Sequence, residues 1–413
     1  MNEELVSESG HSHMGILNEK RILLGVCGSV AAFKAVALAS QLNQAGAEVT
    51  TILTKDAARF VTPLSFTSVT QRPAYVDLYT PDPGRILHVA LAEEADLLAV
   101  IPATANTLAR MAQGLSDDLL ACTYLSTRAP VLVAPAMDGG MYTNAATQAS
   151  LATLRDSGVH VVEPLEGRAA SGLVAKGRMP EVDALIAEIR TVLGRNGPLA
   201  GKTVVVTAGG TQEPLDPVRY IGNRSSGKMG FALAEAARDC GARVVLIQAA
   251  TTAPPPLGMT TVSVTTAAEM QAAVNEHAAQ ADALIMAGAV ADYRPETARS
   301  QKTKRTGDPL AIRLVENEDI LAGVPRTLVK VGFAAETDDV LRNAEKKLTS
   351  KGADLIFAND VSRPDSGFGA DTNQVVVLSN ARPPEPLPLM AKSEVAAVIL
   401  ERVSGLVRER SEK

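Results

Sequence analysis

The sequence predicts an α/β fold with two three-layer (αβα) domains, each built on a mainly parallel sheet of Rossmann-like or flavodoxin-like type. Short runs of Val, Ile and Leu alternate with alanine-rich segments of helical spacing, which is typical of a parallel sheet covered by helices on both faces. A glycine loop follows the first strand of each half. At 413 residues the chain is too long for one ordinary hydrophobic core, so we expect two.

The first half contains five apolar runs that predict strands. These strands are expected at residues 22–26, 48–53, 96–101, 130–134 and 159–163. Between them, segments 31–45 and 104–113 carry apolar residues at helical spacing. The glycine- and proline-containing stretch 194–201 then interrupts the alternation, which indicates a linker.

The alternation starts again in the second half. Strands are expected at residues 203–207, 243–247, 283–286, 329–333 and 354–358, with a helix at 227–240. A hairpin signal at 373–378 and Leu387 predicts an antiparallel edge. We therefore divide the chain into a disordered tail (1–19), a first domain (20–193), a linker (194–202) and a second domain (203–413).

Composition excludes several functional classes. The net charge of −6 argues against a general nucleic-acid or anionic-membrane binder. Cys27, Cys122 and Cys240 form no CxxC pair, so we expect reduced thiols in the cytoplasm and no structural zinc. The sequence contains no uninterrupted run of 18 apolar residues, so we expect no membrane-spanning helix. The first nineteen residues are polar and lack the apolar segment of a signal peptide.

The glycine loop after the first strand contains Gly28, Ser29 and Val30 and opens a helix. Backbone N–H groups at a helix start suit a phosphate, although a plain tight turn explains the loop equally well. The spacing is GxxGS instead of GxGxxG, and no acidic residue ends the second strand. This pattern disfavours NAD and favours a mononucleotide such as FMN. In the second half, Met229 replaces the Ser/Thr of a P-loop, so the loop 208–211 is the better phosphate cradle.

Eight stretches, in this order, resemble one family. They are GSVAAFK (28–34), PATANTLARMAQGLSDDLL (102–120), PAMDGGMY (135–142), GRAASGLVAKGRMPE (167–181), TAGGTQEPLDPVRYIGNRSSGKMG (207–230), AVADYRP (289–295), GFAAETDD (332–339) and KGADLIFANDV (351–361). Together they resemble the bifunctional enzymes of coenzyme A biosynthesis that fuse a phosphopantothenoylcysteine decarboxylase to a phosphopantothenate–cysteine ligase. The resemblance extends from about residue 20 to about residue 405.

For the first half, the resemblance implies FMN-dependent decarboxylation of 4'-phospho-N-pantothenoylcysteine, in which the flavin oxidises the thiol and later returns the electrons. It implies that His88 accepts the thiol proton, whereas the residue alone would indicate a core histidine. It implies a substrate flap with Lys176, Arg178 and Met179. The FMN contacts that it implies are Gly28, Ser29, Val30, Thr54, Ser65, Thr104, Ala105, Asn106, Gly114 and Asp117. For Asn106, an N-cap role is also compatible with the sequence.

Two positions in this half depart from the family pattern. Asp138 replaces an Asn that holds the substrate carboxylate, and Ser171 replaces a Cys that protonates the enethiolate carbon. An ionised Asp cannot donate to a carboxylate, and a hydroxyl is a weaker acid than a thiol. Three explanations stay open: a protonated Asp138 supplies the proton, Cys27 or Cys122 supplies it, or this half is an impaired flavin-binding scaffold.

For the second half, the resemblance implies CTP-dependent formation of an acyl-cytidylate, which the cysteine amine then attacks. Asn223 and Arg219 are implied at the acyl and dimer site. Lys302 is implied at the triphosphate, although a solvated basic loop is the alternative for its QKTKR run. Asp292 is implied at the cytidine and at Mg²⁺. The other implied CTP contacts are Gly210, Met286, Ala287, Gly288, Glu318, Asp319, Ile320, Leu321, Phe333, Lys347 and Lys351.

The expected partners are small molecules: 4'-phosphopantothenate, L-cysteine and CTP, with Mg²⁺ and FMN as cofactors. The resemblance also implies a homo-oligomer, a dodecamer of decarboxylase trimers joined by ligase dimers. A tandem nicotinamide-dependent oxidoreductase is disfavoured because both the GxGxxG motif and the ribose-binding acid are missing. A regulatory flavoprotein is disfavoured because it would need no intact second-half motifs.

Overall fold

The computed structural model describes residues 15–168, 174–305, 310–360, 362, 367 and 369–412. The chain divides into two compact units, Met14–Gly194 and Arg195–Lys413. Each unit is described separately below.

The described residues of the first unit form eight strands and eight α-helices. The strands are β1 (Arg21–Val26), β2 (Glu48–Leu53), β3 (Ala74–Tyr75), β4 (Leu97–Ala103), β5 (Val131–Pro135), β6 (His160–Val161), β7 (Leu165–Arg168) and β8 (Val174–Arg178). The helices are α1 (Ala32–Gln44), α2 (Pro63–Thr70), α3 (Leu87–Glu94), α4 (Ala105–Gln113), α5 (Leu119–Ser126), α6 (Gly139–Thr143), α7 (Ala145–Asp156) and α8 (Val182–Gly194).

Six of these strands form one fully parallel sheet in the order β3-β2-β1-β4-β5-β6. This is the Rossmann order, not the flavodoxin order 2-1-3-4-5. Alternate residues of β1 enter opposite cores: Leu24 packs with α1, α2 and α8, and Leu23 packs with α3, α4, α5 and α7. The predicted three-layer architecture is confirmed. Strands β7 and β8 form a separate antiparallel hairpin.

In the part of the second unit that the structure describes there are fourteen strands and five α-helices. The strands are β9 (Thr203–Ala208), β10 (Gln212–Pro214), β11 (Tyr220–Gly222), β12 (Arg243–Gln248), β13 (Thr260–Ser263), β14 (Ala283–Met286), β15 (Tyr293–Pro295), β16 (Leu314–Glu316), β17 (Val329–Glu336), β18 (Leu355–Asp360), β19 (Thr372–Asn373), β20 (Val376–Ser379), β21 (Glu385–Pro386) and β22 (Met390–Ala391). The helices are α9 (Lys228–Asp239), α10 (Ala267–Ala278), α11 (Ile320–Gly323), α12 (Val340–Ser350) and α13 (Lys392–Ser411).

Its main sheet repeats the same topology and extends it. The order is β13-β12-β9-β14-β17-β18-β20-β21, and the first six strands are parallel. Helices α9 and α13 cover one face, and α10, α11 and α12 cover the other. Strands β20 and β21 are antiparallel, so the predicted antiparallel edge is confirmed. Strand pairs β10–β11, β15–β16 and β19–β22 lie outside this sheet.

Two predicted boundaries need correction. Residues 15–19 of the predicted tail form turns, and Leu17, which is 6% exposed, packs into the first unit's core. Helix α8 reaches Gly194, and the predicted linker 194–202 continues as turns in which Leu199 is fully buried in the second unit. In each segment one leucine is buried in the core and holds the polar residues around it against the unit, because burying a leucine side chain stabilises the fold by roughly 1.5–3 kcal/mol. No helix in the described part of the chain is long and apolar enough to cross a bilayer.

Leu24→Ala is expected to destabilise the first unit by about 2–5 kcal/mol, because the fully buried leucine leaves a cavity at the centre of the sheet. Hydrogen exchange measured by mass spectrometry in peptides from β1, β2 and β4 reports this loss. Leu115→Ala is the matched control, since Leu115 is 55% exposed. Equal exchange in both variants would contradict the assignment of Leu24 to the core.

Candidate functional site

Each unit has one topological switch point, where open α/β sheets bind ligands. In the first unit the switch lies between the carboxyl ends of β1 and β4, and in the second it lies between β9 and β14. The loops that follow these strands carry the glycine motifs found in the sequence.

In the first unit, the β1 loop presents hydrogen-bond donors at the start of α1. The backbone N–H groups of Gly28 and Val30 make no hydrogen bond to any described residue. A Cβ at Gly28 would lie 2.5 Å from the Cβ of Asp56, so only glycine lets the backbone pass there. Free N–H groups beside a close-packed glycine suit a phosphate.

Hydrogen bonds draw three loops together at this edge of the sheet. The Ser29 hydroxyl donates to the Ala136 carbonyl at 3.3 Å, and the Ala136 N–H donates to the Ala103 carbonyl at 3.0 Å. The loop after β2 joins them, because the Thr54 N–H donates to the Val26 carbonyl at 2.9 Å. The end of β4 and the loops after β1, β2 and β5 therefore lie together at the carboxyl-end edge of the sheet, which we call the rim.

Helix α4 begins at this rim. Its N-cap is Thr104, which has extended backbone angles and accepts from the Thr107 N–H at 3.4 Å. The alternative N-cap role of Asn106 is therefore wrong: Asn106 lies in the first turn beside Ala105, with its side chain exposed.

The other predicted FMN residues occupy loops or helix ends. Gly114 ends α4 with a positive φ of 69°, and Asp117 pairs with Arg110 at 3.1 Å. Ser65 lies in α2, and its hydroxyl is 3.2 Å from that of Thr62.

Asp138 is the N-cap of the short helix α6. Its carboxylate accepts from the Gly140 N–H at 3.0 Å, and its carbonyl accepts from the Tyr142 N–H at 3.0 Å. Asp and Asn are equally good N-caps, so capping alone does not explain why this chain has Asp.

The predicted flap is the β7–β8 hairpin, which packs closely on the Asp138 loop. A Cβ at Gly139 would collide with Ala175, and one at Gly177 would collide with the Met137 carbonyl. The Met137 N–H also donates to the Gly177 carbonyl at 3.1 Å. Ser171 lies outside the described residues.

The three side chains predicted to act in the flap are already paired or buried. Lys176 donates to Glu163 at 2.7 Å, and Arg178 donates to Glu181 at 2.6 Å. Met179 is 2% exposed and belongs to the core, so its prediction as a flap residue needs correction. An apolar side chain on a hairpin beside the sheet edge gains more from burial than from contact with a polar substrate.

Glu163 organises this side of the site. Besides Lys176 it accepts from the Tyr142 hydroxyl at 3.2 Å and from Arg155 at 2.6 Å. The hydrogen bond from Lys176 is the main reason why the pKa of Glu163 is lowered. Sequence reasoning missed Glu163; its place just after the last apolar run of the first half was the available signal.

His88 lies in the first turn of α3 and lines a cavity of about 450 Å³. The other lining residues come from 78–83 and 85–87. The neighbouring Leu87 belongs to the same core cluster as Cys27 and Ala103, so the start of α3 packs on the sheet face that these residues share. No described hydrogen bond joins His88 to the β1 or β4 loop.

Burial raises the pKa of both thiols that were considered in place of the family's flap cysteine. Cys27 is completely buried, and burial raises its pKa to about 11. Burial also raises the pKa of Cys122, whose Sγ donates to the Ser116 carbonyl at 3.1 Å.

In the second unit, two buried threonines hold the switch-point loops together. The Thr207 hydroxyl accepts from the Gly288 N–H, and the Thr211 hydroxyl accepts from the Ala291 N–H, both at 2.9 Å. The Ala289 N–H also donates to the Gly209 carbonyl at 2.8 Å. The sequence did not predict that these two hydroxyls hold the loop after β14. The available signal was a polar residue close to the end of an apolar strand.

Asn223 joins the same crevice. Its amide donates to the Val290 carbonyl at 3.0 Å, and a Cβ at Gly210 would lie 2.7 Å from the Asn223 carbonyl oxygen. Asn317 borders it as well, because its amide donates to the Ala291 carbonyl at 2.8 Å. The structure therefore brings Gly210, Gly288 and Asn223 together.

Asp292 follows directly in the chain and is exposed. Its carboxylate makes no hydrogen bond or ion pair with a described residue. Among the residues that the structure describes, no three His, Cys, Asp or Glu side chains form a metal-binding group. A Mg²⁺ ion would therefore need oxygen ligands from the nucleotide as well as from Asp292.

The remaining predicted nucleotide contacts differ in how accessible they are. Met286, Ile320 and Leu321 are buried, so a ligand would meet their backbone. Lys347 pairs with Glu336 at 2.6 Å, and Lys351 pairs with Asp319 at 3.4 Å.

Three further predicted contacts lie around them. Glu318 accepts from Gln271 at 2.6 Å. The Phe333 ring is 5.7 Å from that of Phe357. Ala287 lies directly before Gly288 and is partly buried.

Lys302 is exposed. Arg219, in contrast, is hydrogen-bonded: its guanidinium donates to the Asp216 carboxylate at 2.6 Å and to the Thr303 carbonyl at 3.1 Å. The residue next to Lys302 is therefore fixed to the loop that carries Arg219.

Glu163→Gln is expected to lower the stability of the β7–β8 hairpin by at most about 1 kcal/mol, since the ion pair with Lys176 is half exposed. Because the folded-state pKa of Glu163 is lowered, its contribution is complete above the ordinary carboxyl pKa of about 4.3 and is lost as the pH falls through the folded value. Hydrogen exchange in hairpin peptides should differ between variant and parent at pH 7 and converge in acid. Glu166→Gln is the control, and a pH-independent difference would contradict this explanation.

Two family descriptions match the chain. Residues 11–194 match the family described as Flavoprotein, and residues 199–406 match the DNA/pantothenate metabolism flavoprotein C-terminal domain. Over 405 residues, 96% of this chain, it is 41% identical to the "Coenzyme A biosynthesis bifunctional protein CoaBC" of Bacillus subtilis (strain 168), which it covers completely (100%).

Two further relatives were found. Over 357 residues the chain is 41% identical to a "Cysteine/Cysteine sulfinic acid decarboxylase" from an unknown prokaryotic organism, covering 84% of this chain and 99% of that protein. The crystal structure of the C-terminal domain of a CoaBC protein is 38% identical, with a TM-score of 0.45, and covers 52% of this chain and 99% of that one. Since the first alignment runs through both units, the chain belongs to the family of coenzyme A biosynthesis bifunctional proteins.

Proposed function

We propose that this chain catalyses two successive steps of coenzyme A biosynthesis. The second unit joins 4'-phosphopantothenate to L-cysteine with CTP, and the first unit decarboxylates the product to 4'-phosphopantetheine. The observation that carries this proposal is the 41% identity to a bifunctional coenzyme A biosynthesis protein, of which this chain covers the full length. The strand order of each sheet supports it, because open α/β sheets bind ligands at the switch point that this order creates.

FMN is the cofactor proposed for the first unit. The free N–H groups of Gly28 and Val30 suit its phosphate, and Asn106 is exposed beside the same rim. Thr54, not an acid, follows β2, which disfavours a dinucleotide. Bound FMN supplies reversible oxidation of the substrate thiol, chemistry for which no side chain of the protein is suited.

The protein's own residues move protons and hold the anionic substrate. His88 accepts the thiol proton, since imidazole is the side chain best suited to this near neutral pH. Lys176, which Glu163 and the Tyr142 ring hold in place, attracts the substrate phosphate or carboxylate. Asp138 meets the substrate carboxylate only if the two groups share a proton, because two ionised carboxylates repel each other.

In the second unit, backbone 286–288 and Asp292 bind the cytidine. Asn223 holds the reacting acyl group, and Lys302 neutralises the triphosphate together with Mg²⁺. Activation as an acyl-cytidylate replaces a poor leaving group with CMP, so that the cysteine amine can form the amide. Lys347 and Lys351 reach phosphate only by exchanging their carboxylate partners for it.

We further propose a cytoplasmic homo-oligomer with decarboxylase trimers and ligase dimers in a dodecamer. Large apolar side chains exposed beside the first crevice support an interface there. They are Val30 (60%), Phe33 (63%), Phe60 (54%) and Leu64 (72%). Val218 and Tyr220, exposed beside Arg219, support a second interface.

Product analysis of the purified protein tests the two reactions. With CTP, Mg²⁺, L-cysteine and 4'-phosphopantothenate we expect pyrophosphate, CMP, CO₂ and 4'-phosphopantetheine, from a protein with an FMN absorption spectrum. Phosphopantothenoylcysteine without CO₂ would show that the first unit is an impaired scaffold. Release of CO₂ only from free cysteine or cysteine sulfinate would favour the activity named for the decarboxylase relative.

Asp138→Asn is expected to retain FMN and the α6 N-cap, because the amide oxygen accepts equally well from the Gly140 N–H. Decarboxylation should change its pH dependence, since the shared proton is lost. The checks are the FMN absorbance ratio and a pH–rate profile with phosphopantothenoylcysteine. An unchanged profile would mean that the Asp138 carboxyl has no role in the reaction.

A further inference from the structure

The turn between β10 and β11 contains a buried carboxylate that the proposed reactions do not use. Asp216 is a charged residue with only 1% of its side chain exposed. Its Oδ1 accepts from the backbone N–H groups of Val218 at 2.9 Å and Arg219 at 3.0 Å, which closes the turn. The turn alone therefore needs only one of its two oxygens.

The second oxygen of Asp216 faces hydrogen-bond donors alone. Oδ2 accepts from Arg219 Nη2 at 2.6 Å and Nε at 3.1 Å, and from the backbone N–H of Thr303 at 3.2 Å. Thr303 lies more than eighty residues further along the chain, so this contact is tertiary. A carboxylate oxygen is the group that best satisfies several converging donors.

Two more hydrogen bonds fasten the segment 299–303 to the same turn. The Arg299 N–H donates to the Leu215 carbonyl at 2.9 Å, and Arg219 Nη2 donates to the Thr303 carbonyl at 3.1 Å. Arg299 also donates to the Thr303 hydroxyl at 3.2 Å. The segment is thus held at both ends, and Lys302 lies directly before its second anchor.

Lys302 itself is exposed, and its ammonium makes no hydrogen bond or ion pair with a described residue. The turn continues through β11 into Asn223, whose amide is bonded to the loop after β14. One hairpin therefore connects the acyl-site asparagine to the anchored end of the Lys302 segment.

We propose that Asp216 is a positioning residue of the ligase half: with Arg219 it fastens Thr303 and so holds the Lys302 ammonium beside the nucleotide crevice. This inference rests on the proposed function for the role of Lys302. Fixing the backbone next to Lys302 before CTP arrives removes part of the entropy cost of ordering the segment on binding. The ammonium keeps its rotatable side chain and can follow the triphosphate.

The contact of Asp216 with Arg219 and the Thr303 N–H, called the fastening below, does not depend on pH near neutrality. The hydrogen bond from Arg219, followed by those from backbone N–H groups, holds the pKa of Asp216 far below its usual range. Its stabilising contribution is therefore complete above the ordinary carboxyl pKa and is lost only in strong acid. The facing groups are Arg219 and backbone donors, with no titrating histidine among them.

Asp216→Asn separates the two tasks of this residue. Its amide oxygen can stay at the Oδ1 position and keep the turn closed, while its NH₂ group replaces Oδ2 and meets only donors. Trypsin cleavage after Lys302 and Lys304, read by mass spectrometry without CTP, is expected to become about tenfold faster. The KM for CTP is expected to rise about tenfold, with a smaller change in kcat.

Thr303→Pro removes the donor from the other side and leaves Asp216 and its turn in place. Trypsin does not cut a Lys–Pro bond, so cleavage is read after Lys304 in this variant. It should again become faster, and the KM for CTP should rise in the same way. The double variant should add little, because both substitutions remove one contact. Glu276→Gln, at an exposed position of α10, is the charge-matched control, and Thr303→Val is the control that loses only the hydroxyl contact with Arg299. Both controls should behave like the parent.

The outcomes distinguish this inference from the function on which it rests. Unchanged cleavage in Asp216→Asn would overturn the fastening, whatever the enzyme's activity. Faster cleavage with an unchanged KM for CTP would overturn its positioning role. A parent protein that forms no pyrophosphate would instead overturn the ligase proposal, while the cleavage rates would still test the fastening.

Discussion

Both candidate sites depend on one constraint, the strand order 3-2-1-4-5-6. Because parallel strands require crossovers of one hand, the helices after the first and fourth strands leave towards opposite faces of the sheet. The loops after these two strands therefore separate, and a crevice forms between the carboxyl ends of the strands. The backbone topology alone produces this crevice. The chain uses this arrangement twice, and the candidate site residues lie in the loops that follow these strands: 28–30 and 104–106 in one unit, 209–211 and 287–292 in the other.

The sequence predicted the features that depend on local patterns. The central strands were located to within a few residues because each is an apolar run that ends at a glycine, a proline or a polar cap; 48–53 and 283–286 coincide with β2 and β14. Contacts between distant residues could not be read in this way. The bonds of Glu163 to Lys176 and of Asp216 to Thr303 exist only once the chain has folded. Leu17 and Leu199 were missed because a single apolar residue in a polar stretch carries no periodic signal.

Asp138 shows how a structural role and a chemical one can share a side chain. As an N-cap it is satisfied by its contact with the Gly140 N–H, and asparagine would serve equally well. Acid and amide would differ in the proposed role of Asp138 in the reaction, because an ionised group repels a carboxylate and a protonated one donates to it. Within that proposal Cys27 and Cys122 are the weaker alternatives as proton donors, because burial raises the pKa of both thiols.

The outermost strands of the two sheets also bear on how the protein behaves at high concentration. Strands β3 and β6 have two residues each, β13 is largely exposed and consists of Thr, Val and Ser, and β21 ends in Pro386. Unpaired sheet edges invite edge-to-edge aggregation, and short, polar or proline-bearing edges resist it. A chain with two large aliphatic sheets can therefore remain dispersed while it folds, and assembly through other surfaces does not compete with strand addition.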